Sequence, residues 1–271
     1  SFAEVGAQTA APYEYDTDRL PASFFSTNRK RVLEKMPDSS VAVFFSAPAR
    51  NRSNDVNYVY HQDPDFYYLT GFIDPDAVLF LMKDSANGIF SERMLIHARN
   101  EKMELWTGRM AMVEEVQRSS GIRDVRTSDD STGFDVFTSN LRLVLTKQLP
   151  KGVVKNRYID HDLFELLDQF KSSIERDSLP TDDYRLGKIL ARIREVKSEG
   201  ELVLLRKAID ISVAGHTAMM HALRPGLFEY EVEAVGEYAA PYLPGLLWQG
   251  TNEAPVGPEY AHLAAPRYFN N

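Results

Sequence analysis

The sequence predicts a layered α/β domain followed by a mainly helical segment. Short apolar runs rich in β-branched and aromatic residues alternate with helical periodicity over residues 23–178, which is typical of α/β domains. Residues 176–183 are polar and include Pro180, and helical periodicity dominates after them. We therefore predict a domain boundary there, with one domain over residues 23–178 and a second over residues 184–271.

The first domain contains several short predicted elements. The predicted strands cover residues 40–45, 76–82, 92–97 and 157–160, with a tight turn at Asn87-Gly88. The predicted helices cover residues 26–36, 112–119, 134–149 and 161–174.

The second domain begins with amphipathic helices. A stripe made by Leu186, Ile189 and Ile193 predicts the first of them. Ser198 and Glu201 have the spacing of a capping box, which predicts a long helix from there to about Leu223. Another helix is predicted from about residue 229, and the Pro-rich stretch from about residue 239 has no helical period.

Composition excludes several classes of protein. The chain has 271 residues, 44% of them hydrophobic and 26% charged, which is ordinary for two globular domains. The formal net charge of −8 and the lack of a basic block argue against nucleic acid as a partner. The absence of cysteine excludes disulfides and thiolate metal ligands. No apolar run reaches the length of a membrane span, so no membrane partner is predicted.

Residues 1–22 have no clear period and are predicted to form a leader or N-terminal arm. The residues from Val5 to Gln8 resemble the small-residue end of an export signal, but a disordered leader explains them equally well. Both a cytoplasmic and an exported (periplasmic) location therefore stay open.

The most distinctive segment covers residues 53–71, where polar residues alternate with aromatics. It predicts a polar loop that leads into a tyrosine-rich strand, with the aromatics as core or interface anchors. His61, Asp63 and Asp65 have side chains of metal-ligand type. Such residues alternating along a short loop are more often solvated, and we favour that interpretation.

Residues 53–79 resemble the N-terminal domain of the aminopeptidase P family, within the creatinase and prolidase superfamily. A second similar block covers residues 99–109, and a third runs through Arg194, Arg206 and His216 to residue 233. The resemblance implies a ribonuclease-H-like domain with a mixed sheet, followed by the opening helices of an incomplete α+β pita-bread domain. It also implies that Trp106 lines the active site of a neighbouring subunit. Without the resemblance, Trp106 is a partly buried loop anchor.

The resemblance implies two divalent metal ions in the complete enzyme, with manganese as the expected metal. Their ligands in the family are two Asp, one His and two Glu from the second half of the pita-bread domain. No Asp follows Asp210, and residues 239–271 offer only Glu253, Glu259 and His262. We therefore assign no metal ligand and no catalytic residue to this chain.

Other candidate residues have simpler interpretations. His216 and His221 are five residues apart on a predicted helix, which is poor spacing for one metal, so both are interpreted as structural. Arg194 and Arg206 are predicted to form ordinary ion pairs.

The activity implied by the resemblance is metal-dependent release of the N-terminal residue from peptides with proline in second position. Proline-containing peptides would be the substrates and a homodimer or homotetramer the assembly. A non-catalytic binding or assembly module of the same superfamily is the alternative. Prolidase and a creatinase-like amidinohydrolase also stay open.

Overall fold

The computed structural model describes residues 19–54, 56–84, 89–136, 141–156 and 159–239. These residues belong to two compact units, one over Leu20–Lys197 and another that begins at Ser198. The first unit therefore continues beyond the predicted boundary at residues 176–183, and the predicted domain bounds stay predictions.

The first unit is built on a six-stranded mixed sheet with the strand order β6-β5-β4-β1-β7-β8. β4 pairs antiparallel with both β1 and β5, whereas the other neighbours pair parallel. The six strands are β1 (Ser40–Phe45), β4 (Val78–Asp84), β5 (Ile89–Ile96), β6 (Asp124–Thr127), β7 (Leu143–Thr146) and β8 (Thr181–Asp182). The short strands β2 (Asn51–Ser53) and β3 (Val56–Asn57) form a separate hairpin.

Helices cover both faces of this sheet. They are α1 (Ala22–Lys35), α2 (Pro64–Thr70), α3 (Glu101–Thr107), α4 (Val113–Ser120), α5 (Leu163–Asp177) and α6 (Arg185–Glu195). All six residues of β1 are buried, because alternate side chains enter different cores. Ala42 and Phe44 lie in a core with α1, α2, α4 and α6, while Val43 and Phe45 lie in a core with α5. The predicted α/β fold with a mixed sheet is confirmed.

A buried arginine joins four of these elements. Arg29 on α1 is fully buried, and its Nη1 donates to the carbonyl oxygens of Leu69 at 2.8 Å and Ser120 at 2.9 Å. These carbonyls lie in the last turns of α2 and α4, where a helix leaves acceptors unpaired and carries partial negative charge. Its Nε donates to the carboxylate of Glu92 on β5. Arg29 therefore fixes α1, α2, α4 and β5 relative to one another.

The second unit contains α7 (Glu199–Ala222) and α8 (Glu229–Ala239). The predicted capping box is present: Ser198 Oγ accepts from the Glu201 amide at 3.3 Å, and Glu201 Oε2 accepts from the Ser198 amide at 2.8 Å. The two helices pack closely at Gly236, where an added Cβ would lie 2.7 Å from Sδ of Met219.

Several predicted elements are confirmed with small shifts, including the strands at residues 40–45, 76–82 and 92–97 and the long helix from Ser198. The helix predicted from residue 26 begins at Ala22. The predicted strand at 157–160 is wrong at residues 159–160, which are not in a strand. Residues 157–158 and the predicted turn at Asn87-Gly88 lie outside the described residues.

Two larger predictions are wrong. The predicted tyrosine-rich strand is the helix α2, because Pro64 occupies its first turn, Asp63 caps it, and Gly71 ends it with φ 66°. The helix predicted over residues 134–149 is absent from the described part of that range, where residues 134–136 form a turn and residues 143–146 form β7. Pairing of β7 with the central strand β1 overrides its helical pattern.

Replacement of Arg29 by methionine should destabilise the first unit by about 3–5 kcal/mol, because Glu92 and two buried carbonyls would lose their partner. Lys30→Met is the matched control, since Lys30 is exposed on the same helix. Urea unfolding followed by circular dichroism measures both variants. An Arg29→Met variant as stable as Lys30→Met would contradict this role of Arg29.

Candidate functional site

Trp106 lies in the short helix α3, and not in a loop as the sequence suggested. Asn100 caps the helix by accepting from the amides of Lys102 at 3.1 Å and Met103 at 3.3 Å. Gly108 ends it with φ 84° and donates to the Glu104 carbonyl at 3.1 Å. The side chain of Trp106 lies outside the described residues, so the predicted role of Trp106 stays a prediction.

Residues 99–110, which include α3 and which we call the Trp106 segment, are held together by the carboxylate of Glu104. Arg99 forms a bidentate pair with it, at 2.8 Å for each of the two hydrogen bonds. The amide of Met110, which follows the helix, donates to the same carboxylate at 2.9 Å. The hydrogen bonds from Arg99 lower the pKa of the Glu104 carboxyl. The sequence analysis did not predict this ion pair, although Arg99 and Glu104 are oppositely charged and only five residues apart in the block of residues 99–109.

A second ion pair holds the chain after α3. Arg109 donates to the carboxylate of Glu115 on α4, and Glu115 Oε2 accepts from the amide of Met112 at 3.1 Å. Glu115 therefore caps α4 and joins it to the end of the Trp106 segment.

A cavity of about 80 Å³ lies beside this segment. Neither ring nitrogen of His97 has a hydrogen-bond partner among the described residues, and both nitrogens are buried. Sequence reasoning did not identify His97, because its position after β5 carries no motif. The residues that line the cavity are Phe72, Asp74, Pro75, Asp76, Ile96, His97, Met103, Met110, Ala111 and Ile159.

Asp76 connects the cavity to the start of α5. Its Oδ1 accepts from the amide of Leu163 at 2.8 Å, and its backbone has φ 57°. Burial raises the pKa of the Asp76 carboxyl, against the opposing effects of the Leu163 hydrogen bond and of His97. A raised carboxyl pKa means that the folded protein keeps this proton to a higher pH than the unfolded chain does.

His61 is exposed, as the predicted solvation of this group requires, whereas Asp63 and Asp65 are only partly exposed. Asp63 caps α2 by accepting from the amides of Asp65 and Phe66, each at 2.9 Å. Lys147 Nζ lies 3.1 Å from Asp63 Oδ2 and 2.5 Å from Asp65 Oδ2, and Arg194 pairs with Asp65 as well. These carboxylates are used in capping and ion pairs.

The remaining candidates take part in other contacts or lie outside the described residues. Arg194 and Arg206 form ion pairs, as predicted, the latter with Glu199 at 3.8 Å. His216 and His221 are exposed on α7, and Nδ1 of His216 donates to the Ser212 carbonyl at 2.7 Å. Residues 1–18, which include Val5 to Gln8, and the candidates Glu253, Glu259 and His262 lie outside the described residues.

Within the described ranges, no group of three His, Cys, Asp or Glu residues could hold a metal ion. None of the helices in those ranges is both long enough and apolar enough to span a membrane.

Residues 25–140 match the family described as aminopeptidase P, N-terminal domain. The chain is 30% identical over 211 residues to the Xaa-Pro aminopeptidase of Escherichia coli, covering 77% of this chain and 46% of that protein. It is 27% identical over 219 residues to the Xaa-Pro aminopeptidase of Haemophilus influenzae, covering 80% and 46%. The chain thus spans about half the length of these relatives.

Solved structures show the same likeness. The structure of Escherichia coli aminopeptidase P with the inhibitor Pro-Leu aligns with a TM-score of 0.65 and 27% identity, covering 83% of this chain and 50% of that one.

Asp76→Asn should become more stable relative to the original protein as pH rises above about 4. The unfolded carboxyl loses its proton near its ordinary pKa of about 3.9, whereas the folded one keeps it to higher pH. The folded state then binds more protons, so the free energy of unfolding falls as pH rises through this interval. Asparagine has no such proton but can still accept from Leu163 and adopt a positive φ.

Urea unfolding of both proteins at several pH values between 4 and 7 measures this trend. Asp160→Asn is the control, because it makes the same change in charge at an exposed position near α5. A stability difference between Asp76→Asn and the original protein that does not change with pH, or that changes in the opposite direction, would contradict the expectation.

Proposed function

Since residues 25–140 match the family of aminopeptidase P N-terminal domains, we propose that this chain is the N-terminal half of a metal-dependent X-prolyl aminopeptidase. The full-length protein would release the N-terminal residue from peptides whose second residue is proline. In it, this half would shape access to the active site and form contacts between copies, in a homodimer or homotetramer.

The observation that carries the proposal is the family match, together with the relatives from Haemophilus influenzae and Escherichia coli, both of which are named Xaa-Pro aminopeptidase. The Escherichia coli enzyme takes Pro-Leu as an inhibitor, which fits a site that accepts proline. A pocket can select an X-Pro bond because proline has a rigid ring and lacks the backbone N–H.

Two divalent metal ions, with manganese as the metal we propose, would supply a bound hydroxide and stabilise the charge on the carbonyl oxygen. The described residues offer no set of carboxylates and imidazoles that fits such a pair. We therefore assign no ligand to this chain and derive no step through the metals.

We propose that Trp106 lines the active site of a neighbouring copy of the protein. Its helix is short, capped at both ends and fastened by Glu104, which suits a residue that must reach a partner in a fixed position. Trp106 would contact substrate or the partner, and the metals would perform the chemistry.

The full-length protein should contain about two metal ions per chain and cleave an Arg-Pro-Pro peptide with added Mn²⁺. It should leave an Arg-Ala-Ala peptide intact, because that peptide lacks proline. Metal analysis and chromatography of the products test this expectation. Cleavage of the dipeptide Arg-Pro alone would favour prolidase. A metal-free protein that cleaves none of these peptides would favour the non-catalytic module.

Trp106→Ala in the full-length protein should raise KM for Arg-Pro-Pro by about tenfold without reducing the metal content, because substrate positioning is lost while the metal site is kept. Tyr184→Ala is the control, since it removes an exposed aromatic side chain just before α6, away from α3 in the sequence. Steady-state kinetics measures both variants. An unchanged KM in Trp106→Ala would contradict the role proposed for Trp106.

A further inference from the structure

The Glu104 carboxylate forms hydrogen bonds with residues on both sides of α3. The carboxylate binds Arg99, which lies before α3, and the amide of Met110, which lies after it. One side chain thus connects the two ends of the segment that carries Trp106. The cap hydrogen bonds at Asn100 and Gly108 stabilise the helix itself but do not join its two flanks.

The geometry and burial of this pair separate it from an ordinary surface ion pair. Only 12% of the Glu104 side chain is exposed, against 44% for Arg99. Exposed ion pairs usually contribute little, but a bidentate pair with a shielded carboxylate fixes geometry as well as charge. The amide of Met110 uses the same carboxylate, so loss of the charge would weaken three hydrogen bonds together.

The apolar contacts around α3 do not fix the position of the helix by themselves. Met103 and Met110 line the cavity beside the helix, and Leu105 is 84% exposed. Methionine side chains are flexible and adapt to several packings, so an apolar contact of this kind does not fix one position of the helix. The polar pairs at Glu104 and Glu115 supply the fixed geometry.

We propose that Glu104, through its pair with Arg99, is a positioning residue that presets the Trp106 helix for the neighbouring active site. This inference rests on the proposed function of Trp106. A segment held in its bound position before binding loses less conformational entropy on binding, and it therefore binds more tightly. Glu104 acts only through the helix and contacts no substrate.

Tryptophan fluorescence tests the positioning directly. The 271 residues contain two tryptophans, so Trp248→Phe, with any tryptophan outside these residues replaced likewise, leaves Trp106 as the only tryptophan. Glu104→Gln should increase the quenching of Trp106 by acrylamide and lower its fluorescence anisotropy, because the helix moves more freely. Arg99→Gln is a second variant, with an exposed side chain that the fold tolerates, and should have the same effect. Glu101→Gln, the same charge change at an exposed position of α3, should match the unaltered background.

Kinetics of the full-length protein tests the consequence. Glu104→Gln and Arg99→Gln should raise KM for Arg-Pro-Pro by up to about tenfold, towards the value for Trp106→Ala, with kcat changed much less. Glu101→Gln should not change either constant. General damage to the fold would lower kcat, metal content and thermal stability together.

The outcomes separate this inference from the function on which it rests. If Trp106→Ala leaves KM unchanged, the proposed role of Trp106 fails, while the fluorescence still decides whether Glu104 holds the helix. If Trp106→Ala raises KM but Glu104→Gln and Arg99→Gln behave like Glu101→Gln in fluorescence and kinetics, the positioning role of Glu104 is overturned.

Discussion

The buried guanidinium of Arg29 is the interaction on which the arrangement of the first unit depends. Burial lowers the pKa of Arg29, and Glu92 opposes that shift by favouring the charged form. Glu92 lies on β5, which leads into the Trp106 segment, and Ser120 ends α4, which follows that segment. Arg29 therefore fixes β5, which precedes the segment, relative to α4, which follows it. This rigid frame of β5 and α4 determines where the segment leaves the sheet.

Within this frame, the Trp106 segment has fixed polar ends and an adaptable apolar side. Glu104 and Glu115 hold the flanks of α3 by charge-assisted hydrogen bonds, while two methionines line the cavity next to it. Such a segment keeps its place on the domain while its apolar packing can adjust. The buried carboxyl of Asp76 and the ring of His97 add titratable groups to the same cavity.

Local patterns predicted the elements whose stability is local. The capping box at Ser198 and the buried strand β1 follow from neighbouring residues, and both are present. The same reasoning was wrong for β7, because its pairing with β1 is decided by residues about a hundred positions away. Neither Arg29 nor His97 could be identified from the sequence, since their environments come from distant segments that only the fold brings together. The ion pair of Arg99 and Glu104 could have been predicted, because the two residues are close along the chain.

The strand order has a consequence for how the chain folds during synthesis. The central strand β1 precedes the other strands of the sheet along the chain, but its parallel neighbour β7 begins at Leu143, and the edge strand β8 begins at Thr181. Closing such long loops slows folding, and the antiparallel half made of β1, β4 and β5 can assemble first. Until β7 leaves the ribosome, one edge of β1 remains unpaired, and the nascent chain exposes an apolar strand that chaperones or other chains can bind.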